Sequence, residues 1–374
     1  MKTKPHVYIL CGEASGDLHA ANLVAAWKQL NPAVDFRAWG GDRLQAEGVQ
    51  LDKHIRELSF MGFWEVVKNI RTIFKNIQRC KDEILNKKPD ALILIDYPGF
   101  NLRIAAWAKE QGIPVYYYIA PQIWAWKENR VPAMRKNIDR LLCILPFEKA
   151  YFKDRWNWEV DYVGHPLMQV LADQKNLPHP IPEIQGQNII ALLPGSRKQE
   201  ILKKLPIMLS VVKAFPNYQF AIAQAPGLDD AWFKNLVPSQ NNIHIVKDNT
   251  YALLNHSKAA LVTSGTATLE TALLGVPEIV CYKGNPITLA LAKRFIKIKF
   301  IALVNLIMDK EVVKELIQEE LTTINLVNAL KDLLENPIKQ AQIKEDYAAL
   351  QNALYTGQNA AEVAAGIVLE ELSN

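Results

Sequence analysis

The stretch HVYILCGEASGDLHAANL, residues 6–23, passes from an apolar, β-rich segment through a glycine-bearing turn into a helical pattern. A strand that ends at a glycine turn and opens a helix is the building unit of a doubly wound α/β sheet. The same alternation recurs in VDFRAWG, ALILID, VYYYIAP, RLLCILP and VDYVGHP, with helical stretches such as FNLRIAAWAKEQG between them. Several of these runs are continuously apolar, as parallel strands covered on both faces are. The polar, proline-bearing stretch ADQKNLPHPIPEIQGQ, residues 172–187, breaks the pattern and reads as a linker. The alternation restarts in NIIALLPGS, YQFAIAQ, NIHIVKD, AALVTSG and EIVCYKG, and helix-like sequence closes the chain. The expected fold class is α/β, with two Rossmann-like, doubly wound domains and a cleft between them. A length of 374 residues agrees with two domains of ~100–200 residues each.

Bulk composition narrows the function class. The hydrophobic fraction is 49% and the charged fraction 22%, which fits a globular protein with full cores. A net charge of +4 is too weak to argue for nucleic acid, though it suits an anionic ligand or surface. Cys11, Cys80, Cys143 and Cys281 are scattered without a CxxC, against a zinc site or disulfide framework and in keeping with a reducing cytosol. The N-terminus reaches its Gly-Glu turn before a signal-peptide core forms, and no apolar run approaches the ~20 residues of a membrane span.

In such sheets ligands sit at the carboxyl ends of strands, so the residues there carry the chemistry. The opening turn is neither GxGxxG nor a P-loop. Gly12 and Gly16 allow close approach of a ligand, while Glu13, Ser15 and Asp17 accept hydrogen bonds from hydroxyls. A polyol suits that set better than phosphate. The same residues also suit a capped helix start. ALILIDYPGFN places Asp96 at the end of a buried strand, where desolvation poises a carboxylate as a general base. The alternative is an aspartate that satisfies turn amides. IAPQIWAWKENR carries Trp124 and Arg130 after another strand end, for a sugar face, an acyl chain or a phosphate, or else for core packing.

The later turns carry less acid. Gly195, Ser196 and Arg197 in LLPGSRKQEI offer amides at a helix start and a bidentate donor, a phosphate pattern. Gly265, Thr266 and Thr268 in TSGTATLE suit phosphate again, and Glu270 could accept two ribose hydroxyls or serve a helix cap. No HExxH, GxSxG elbow or DxD pair occurs, so no metal and no cofactor is expected. The stretch SFMGFWEVVKNIRTIFKNIQRCKDEI places Phe63, Val66, Val67, Ile70 and Phe74 at helical spacing among basic residues. That is the pattern of a helix lying on an anionic bilayer, or of a core stripe with a solvated basic face.

GEASGD, LSFMGFWEV, IDYPGFN, PQIWAWKENR, LPFEKAYF, VGHPL, LPGSRKQEI and SGTATLETALLGVP occur in the order found in the lipid-A-disaccharide synthase family, glycosyltransferase family 19. The resemblance spans about residues 7–325 and implies a GT-B glycosyltransferase. It implies transfer of 2,3-diacylglucosamine from its UDP derivative to 2,3-diacylglucosamine 1-phosphate (lipid X), giving a β-1,6 disaccharide 1-phosphate and UDP. An α-linked donor with a β product means inversion and one base, for which Asp96 is the candidate. Glu13 is grouped with it as a catalytic carboxylate, its other role being to hold a hydroxyl. Gly12, Ser15, Gly16, Asp17, Trp124 and Arg130 fall on the acceptor side. The glycine turns with Arg197, Thr266, Thr268 and Glu270 fall on the UDP side, and Asn305 matches a family position near the donor.

The implied domains are residues 1–168 and 169–345, with helices from about 346–374 returning to the first. The expected site of action is cytoplasmic, peripheral on the inner membrane, with no nucleic acid partner. A homodimer is a further expectation. Gly99 stands where many members carry an acid, Val304 where proline is common, and Gln169 where an acid often follows GHPL. A UDP-sugar 2-epimerase or other GT-B transferase, and a non-catalytic nucleotide- or lipid-binding protein, are the competing readings.

Overall fold

A computed structural model describes residues 4–58, 70–125, 127–174, 184, 188–284 and 299–373. The chain divides into two compact units, Met1–Pro166 with Leu354–Asn374, and Leu167–Ala353. Each is built on one parallel sheet.

In the first unit the strands are β1 (His6–Leu10), β2 (Asp35–Gly40), β3 (Gln50–His54), β4 (Ala91–Ile95), β5 (Val115–Tyr118), β6 (Arg140–Cys143) and β7 (Asp161–Tyr162). Their spatial order is β3-β2-β1-β4-β5-β6-β7, all parallel. Alternation of side chains splits the core into two layers. Tyr8, Leu10, Leu92 and Leu94 pack on one face, and Val7, Ile9, Ile93 and Ile95 on the other. Each such fully buried aliphatic side chain contributes about 1.5–3 kcal/mol relative to exposure.

Five helices of this unit position the residues of interest: α1 (Ala14–Leu30), α2 (Asp42–Ala46), α3 (Ile70–Lys87), α4 (Pro98–Glu110) and α5 (Val131–Asn137). The helix Ala360–Ser373 returns to pack Ala364 and Val368 into the layer that holds Val24 and Trp27 of α1.

The second unit holds β8 (Ile189–Leu193), β9 (Gln219–Gln224), β10 (Ile243–Lys247), β11 (Ser257–Thr263), β12 (Glu278–Tyr282) and β13 (Lys314–Ile317), in the parallel order β10-β9-β8-β11-β12-β13. Its helices include α6 (Lys198–Leu209), α7 (Thr266–Leu273) and α8 (Leu303–Met308).

Strand order reverses direction between β1 and β4 in the first sheet, and between β8 and β11 in the second. At such a switch point the two outgoing loops diverge and leave a crevice beyond the strand ends. The four loops are those after Leu10, Ile95, Leu193 and Thr263. They hold Glu13, Asp96, Arg197 and Gly265 respectively or begin the segments that do.

Candidate active site

At the first switch point the backbone is strained. Asp96 and Tyr97 both have left-handed backbones, with φ of +45° and +49°. Non-glycine residues held this way cost of order 1–3 kcal/mol each, so the surroundings must enforce the conformation. Asn101, fully buried on α4, donates from Nδ2 to the carbonyl of Asp96 at 2.8 Å and to that of Ile95 at 3.2 Å. The same nitrogen lies 3.4 Å from the carbonyl of Leu10, joining the ends of β1 and β4. Tyr117 Oη also donates to the Asp96 carbonyl, at 2.5 Å. Gly12 makes room for the Tyr97 ring: a Cβ there would lie 2.4 Å from it.

This scaffold leaves the Asp96 carboxylate half-buried. Burial first, and then the negative charge of Glu13, push its pKa above the ordinary aspartate value, opposed by the Tyr97 amide. Glu13 itself is exposed at the N-cap of α1, beside exposed Ser15. A desolvated carboxylate with a second carboxylate near it is the arrangement of a general base. Elsewhere in this unit burial lowers His19 to about 4, and burial followed by the charge of His19 lowers His165 to about 3.

Other sequence candidates fall elsewhere. Asp17 is buried, and its carboxylate accepts from the amides of Gly41 at 2.7 Å and Arg43 at 3.0 Å. It caps the start of α2, and both oxygens are engaged, so it is a structural residue rather than a hydroxyl-binding one. Gly16 packs tightly, since a Cβ would meet that of Cys11 at 3.0 Å. Trp124 is likewise buried, with its indole N–H on Glu148 Oε1 at 3.0 Å and its ring edge-on to Phe147. The packing alternative describes Trp124. Arg130 is half-exposed and lines a cavity between α4 and α5.

The basic amphipathic stretch divides similarly. Ile77, Cys80 and Ile84 of α3 enter the core, whereas Phe74 is 60% exposed beside exposed Arg71 and Lys75. Phe63, Val66, Val67 and the side chain of Ile70 lie outside the described residues.

At the second switch point, Gly195 has φ +108°, and a Cβ there would lie 2.9 Å from Glu200 Oε2. Ser196 and Arg197 are exposed, Arg197 with a long 3.4 Å contact to Glu200. Beneath them Lys204, buried on α6, donates to Thr263 Oγ1 and lies 3.7 Å from Glu200. Burial lowers its pKa, partly offset by Glu200. Gly265 (φ +138°) and Thr266 are exposed at the start of α7. Thr268 turns its hydroxyl back to the Gly265 carbonyl at 2.9 Å and is fully buried, so it closes the turn. Glu270 accepts from Tyr251 Oη at 2.8 Å, and burial raises its pKa.

Asn305 is saturated. Its amide donates to the Val313 carbonyl and to Glu315, and its oxygen accepts from the amides of Val312 and Val313, all at 2.8–2.9 Å. It braces α8 against β13, which leaves no side-chain group for a donor. Among the described residues no group of three His, Cys, Asp or Glu is placed to hold a metal ion.

Sequence reading passed over Asn101 and Lys204. A signal existed for both, because each is a polar residue on the apolar face of its helix, between Phe100 and Ile104 and between Ile201 and Leu205.

A model of the family described as Lipid-A-disaccharide synthetase matches residues 7–368. The chain belongs to this family. Its similarity to lipid-A-disaccharide synthase of Syntrophus aciditrophicus is 37% identity, over 93% of each chain. To that of Geobacter metallireducens it is 34% identity, over 100% of this chain and 99% of the relative. The family makes the chain a glycosyltransferase of lipid A disaccharide synthesis. Solved structures agree on the fold. The glycotransferase of kitacinnamycin superposes with a TM-score of 0.69 at 12% identity, covering 99% of each chain. The UDP-GlcNAc 2-epimerase of Neisseria meningitidis superposes at 0.64 with 15% identity, again over 99% of each. Together with its two parallel-sheet units, these likenesses put this chain in the GT-B fold class, and the fold alone does not separate transfer from epimerisation. The family relatives do.

Proposed function

We propose that the chain is an inverting transferase that moves 2,3-diacylglucosamine from its UDP derivative onto the 6-hydroxyl of 2,3-diacylglucosamine 1-phosphate. The observation that carries this reading is the Asp96 carboxylate, half-buried and raised in pKa at the switch point of the first sheet. Asp96 takes the hydroxyl proton as the acceptor oxygen attacks the anomeric carbon. The bond to the UDP oxygen breaks on the opposite face, which gives the β product. Glu13 keeps Asp96 proton-hungry, and with Ser15 it accepts sugar hydroxyls.

In this reading the first unit takes the acceptor and the second takes UDP. The leaving diphosphate meets the amides of Gly195, Ser196, Gly265 and Thr266, and the Arg197 guanidinium. Glu270, held by Tyr251, accepts from the ribose. Acylated substrates need a protein that works at a lipid surface. The exposed Phe74 with Arg71 and Lys75 supports peripheral contact with an anionic bilayer, the cytoplasmic face of the inner membrane. No helix among the described residues is long and apolar enough to cross one. A homodimer completes the reading, and sedimentation tests it.

The deciding experiment is incubation with the UDP-diacylglucosamine donor and lipid X, with mass detection of the disaccharide 1-phosphate. Asp96→Asn should lose transfer by about 10²–10⁴ while still binding UDP. Turnover of unacylated UDP-GlcNAc without disaccharide would favour an epimerase instead.

A further inference from the structure

The groove between α4 and α5 holds a cavity of about 320 Å³ within the first unit. Its walls include Met134 and Ile138, both buried members of the core, with Arg103 and Arg130 on its lining and no carboxylate. Arg103 spends one nitrogen on the Gly99 carbonyl at 3.1 Å. Arg130 has no carboxylate partner among the described residues. Gly99 contributes neither side chain nor charge, and space is open above it, since a Cβ there would meet nothing within 4 Å.

A pocket of this size with apolar walls and two guanidinium groups suits one kind of ligand, an amphiphile bearing a phosphate. Arg103 is exposed and Arg130 half-exposed, so both guanidinium groups stand at the mouth of this apolar surface, free to meet an anion there. The position narrows the choice further. The cavity begins at Pro98 and Gly99, two and three residues after Asp96. Three residues reach at most about 11 Å, even fully extended. In a pyranose the carbons that bear the 1-phosphate and the hydroxymethyl group flank the ring oxygen, so the two groups lie closer together than that upper bound and one sugar can present both.

We propose that this cavity receives the 1-phosphate of the acceptor. Arg103 and Arg130 hold the phosphate, the apolar wall takes the start of an acyl chain, and the sugar bridges back so that its hydroxyl meets Asp96. The site therefore selects a phosphorylated acceptor over its dephosphorylated form. This rests on the first unit being the acceptor unit.

The test compares lipid X with dephosphorylated 2,3-diacylglucosamine as acceptors, in wild type, Arg130→Gln, Arg130→Lys and the Arg103→Gln/Arg130→Gln double variant. Arg130→Gln should raise the KM for lipid X roughly tenfold, as loss of a charge-assisted hydrogen bond does. The KM for the UDP donor and for the dephosphorylated acceptor should hold, and Arg130→Lys should recover part of the loss. Preference for the phosphorylated acceptor should vanish in the double variant. If that preference survives, the proposal is overturned. Should the double variant unfold on loss of the Arg103 contact to Gly99, Arg130→Gln alone carries the comparison.

Vesicles with and without anionic phospholipid separate the two sources of phosphate. Loss of vesicle binding with an unchanged acceptor preference would assign the arginines to membrane headgroups and overturn the proposal. If wild type forms no disaccharide, the transfer reading fails on its own. Direct titration of lipid X into wild type and the double variant then still tests the cavity, and equal affinity would overturn it.

Discussion

Asn101 Nδ2 donates to the main-chain carbonyl of Asp96 at 2.8 Å, so the fully buried amide of one residue fixes the left-handed backbone of the other. If Asp96 is the base, as proposed, the bond acts on it through its backbone. Asn101→Ala would leave three carbonyls at the ends of β1 and β4 without this donor, at a cost of about 1–3 kcal/mol. The expected outcome is a lower Tm together with a reduced kcat and a steady KM for the UDP donor. Thermal melts and steady-state kinetics on one preparation read both.

The acid limb of the pH–rate profile should belong to Asp96. A general base works deprotonated, so activity is lost as pH falls through its raised pKa. The charge of Glu13 is the second cause of that rise, after burial. Glu13→Gln should therefore move the acid limb to lower pH. A limb that stays in place would uncouple the two carboxylates.

Glu148 makes a stability prediction with the same sign of shift. Complete burial lifts its pKa from 4.5 to about 7, only partly offset by hydrogen bonds from Leu145 and Trp124. The folded state holds this proton more tightly than the unfolded chain. Its full contribution is thus present below about pH 4.5 and is lost as pH rises to about 7, an effect of about 3 kcal/mol. Glu148→Gln cannot ionise. Calorimetry should find the wild type's advantage over this variant shrinking between pH 5 and pH 8.

Arg197 and Asn305, both donor-side candidates in the sequence, should separate cleanly. The Arg197 side chain is 74% exposed, so Arg197→Ala should barely change the Tm while raising the donor KM by about tenfold or more. Asn305 is fully buried with four hydrogen bonds inside the protein. Asn305→Ala should lower the Tm by several degrees, and any loss of donor binding should follow the loss of fold. A donor KM defect at unchanged Tm would restore Asn305 to the site.

The two sheets and their turns were legible along the chain because buried parallel strands are continuous apolar runs, and ALILI and IIALL are read directly. Asp96 was legible because it directly follows such a run, and Arg197 because it closes the short turn between a run that ends at Leu193 and the helix that begins at Lys198. Their neighbours were not. Asp17 lies only four residues from Glu13, yet it caps α2, because a carboxylate takes whichever amides the fold brings near it. Trp124 carried a ligand-binding composition and turned inward to Glu148, a partner 24 residues away.

By itself, the amino-acid sequence determined the fold class, the family and the strand ends at which the candidate residues lie. Each of these depends on local periodicity and on ordered motifs. Only the tertiary structure decided which polar groups at those ends are already satisfied. Hydrogen-bond saturation depends on contacts between residues far apart in the chain, such as Asn101 with Leu10 and Gly41 with Asp17. The same long-range packing left Asp96 desolvated beside Glu13, and set Arg103 and Arg130 around one cavity.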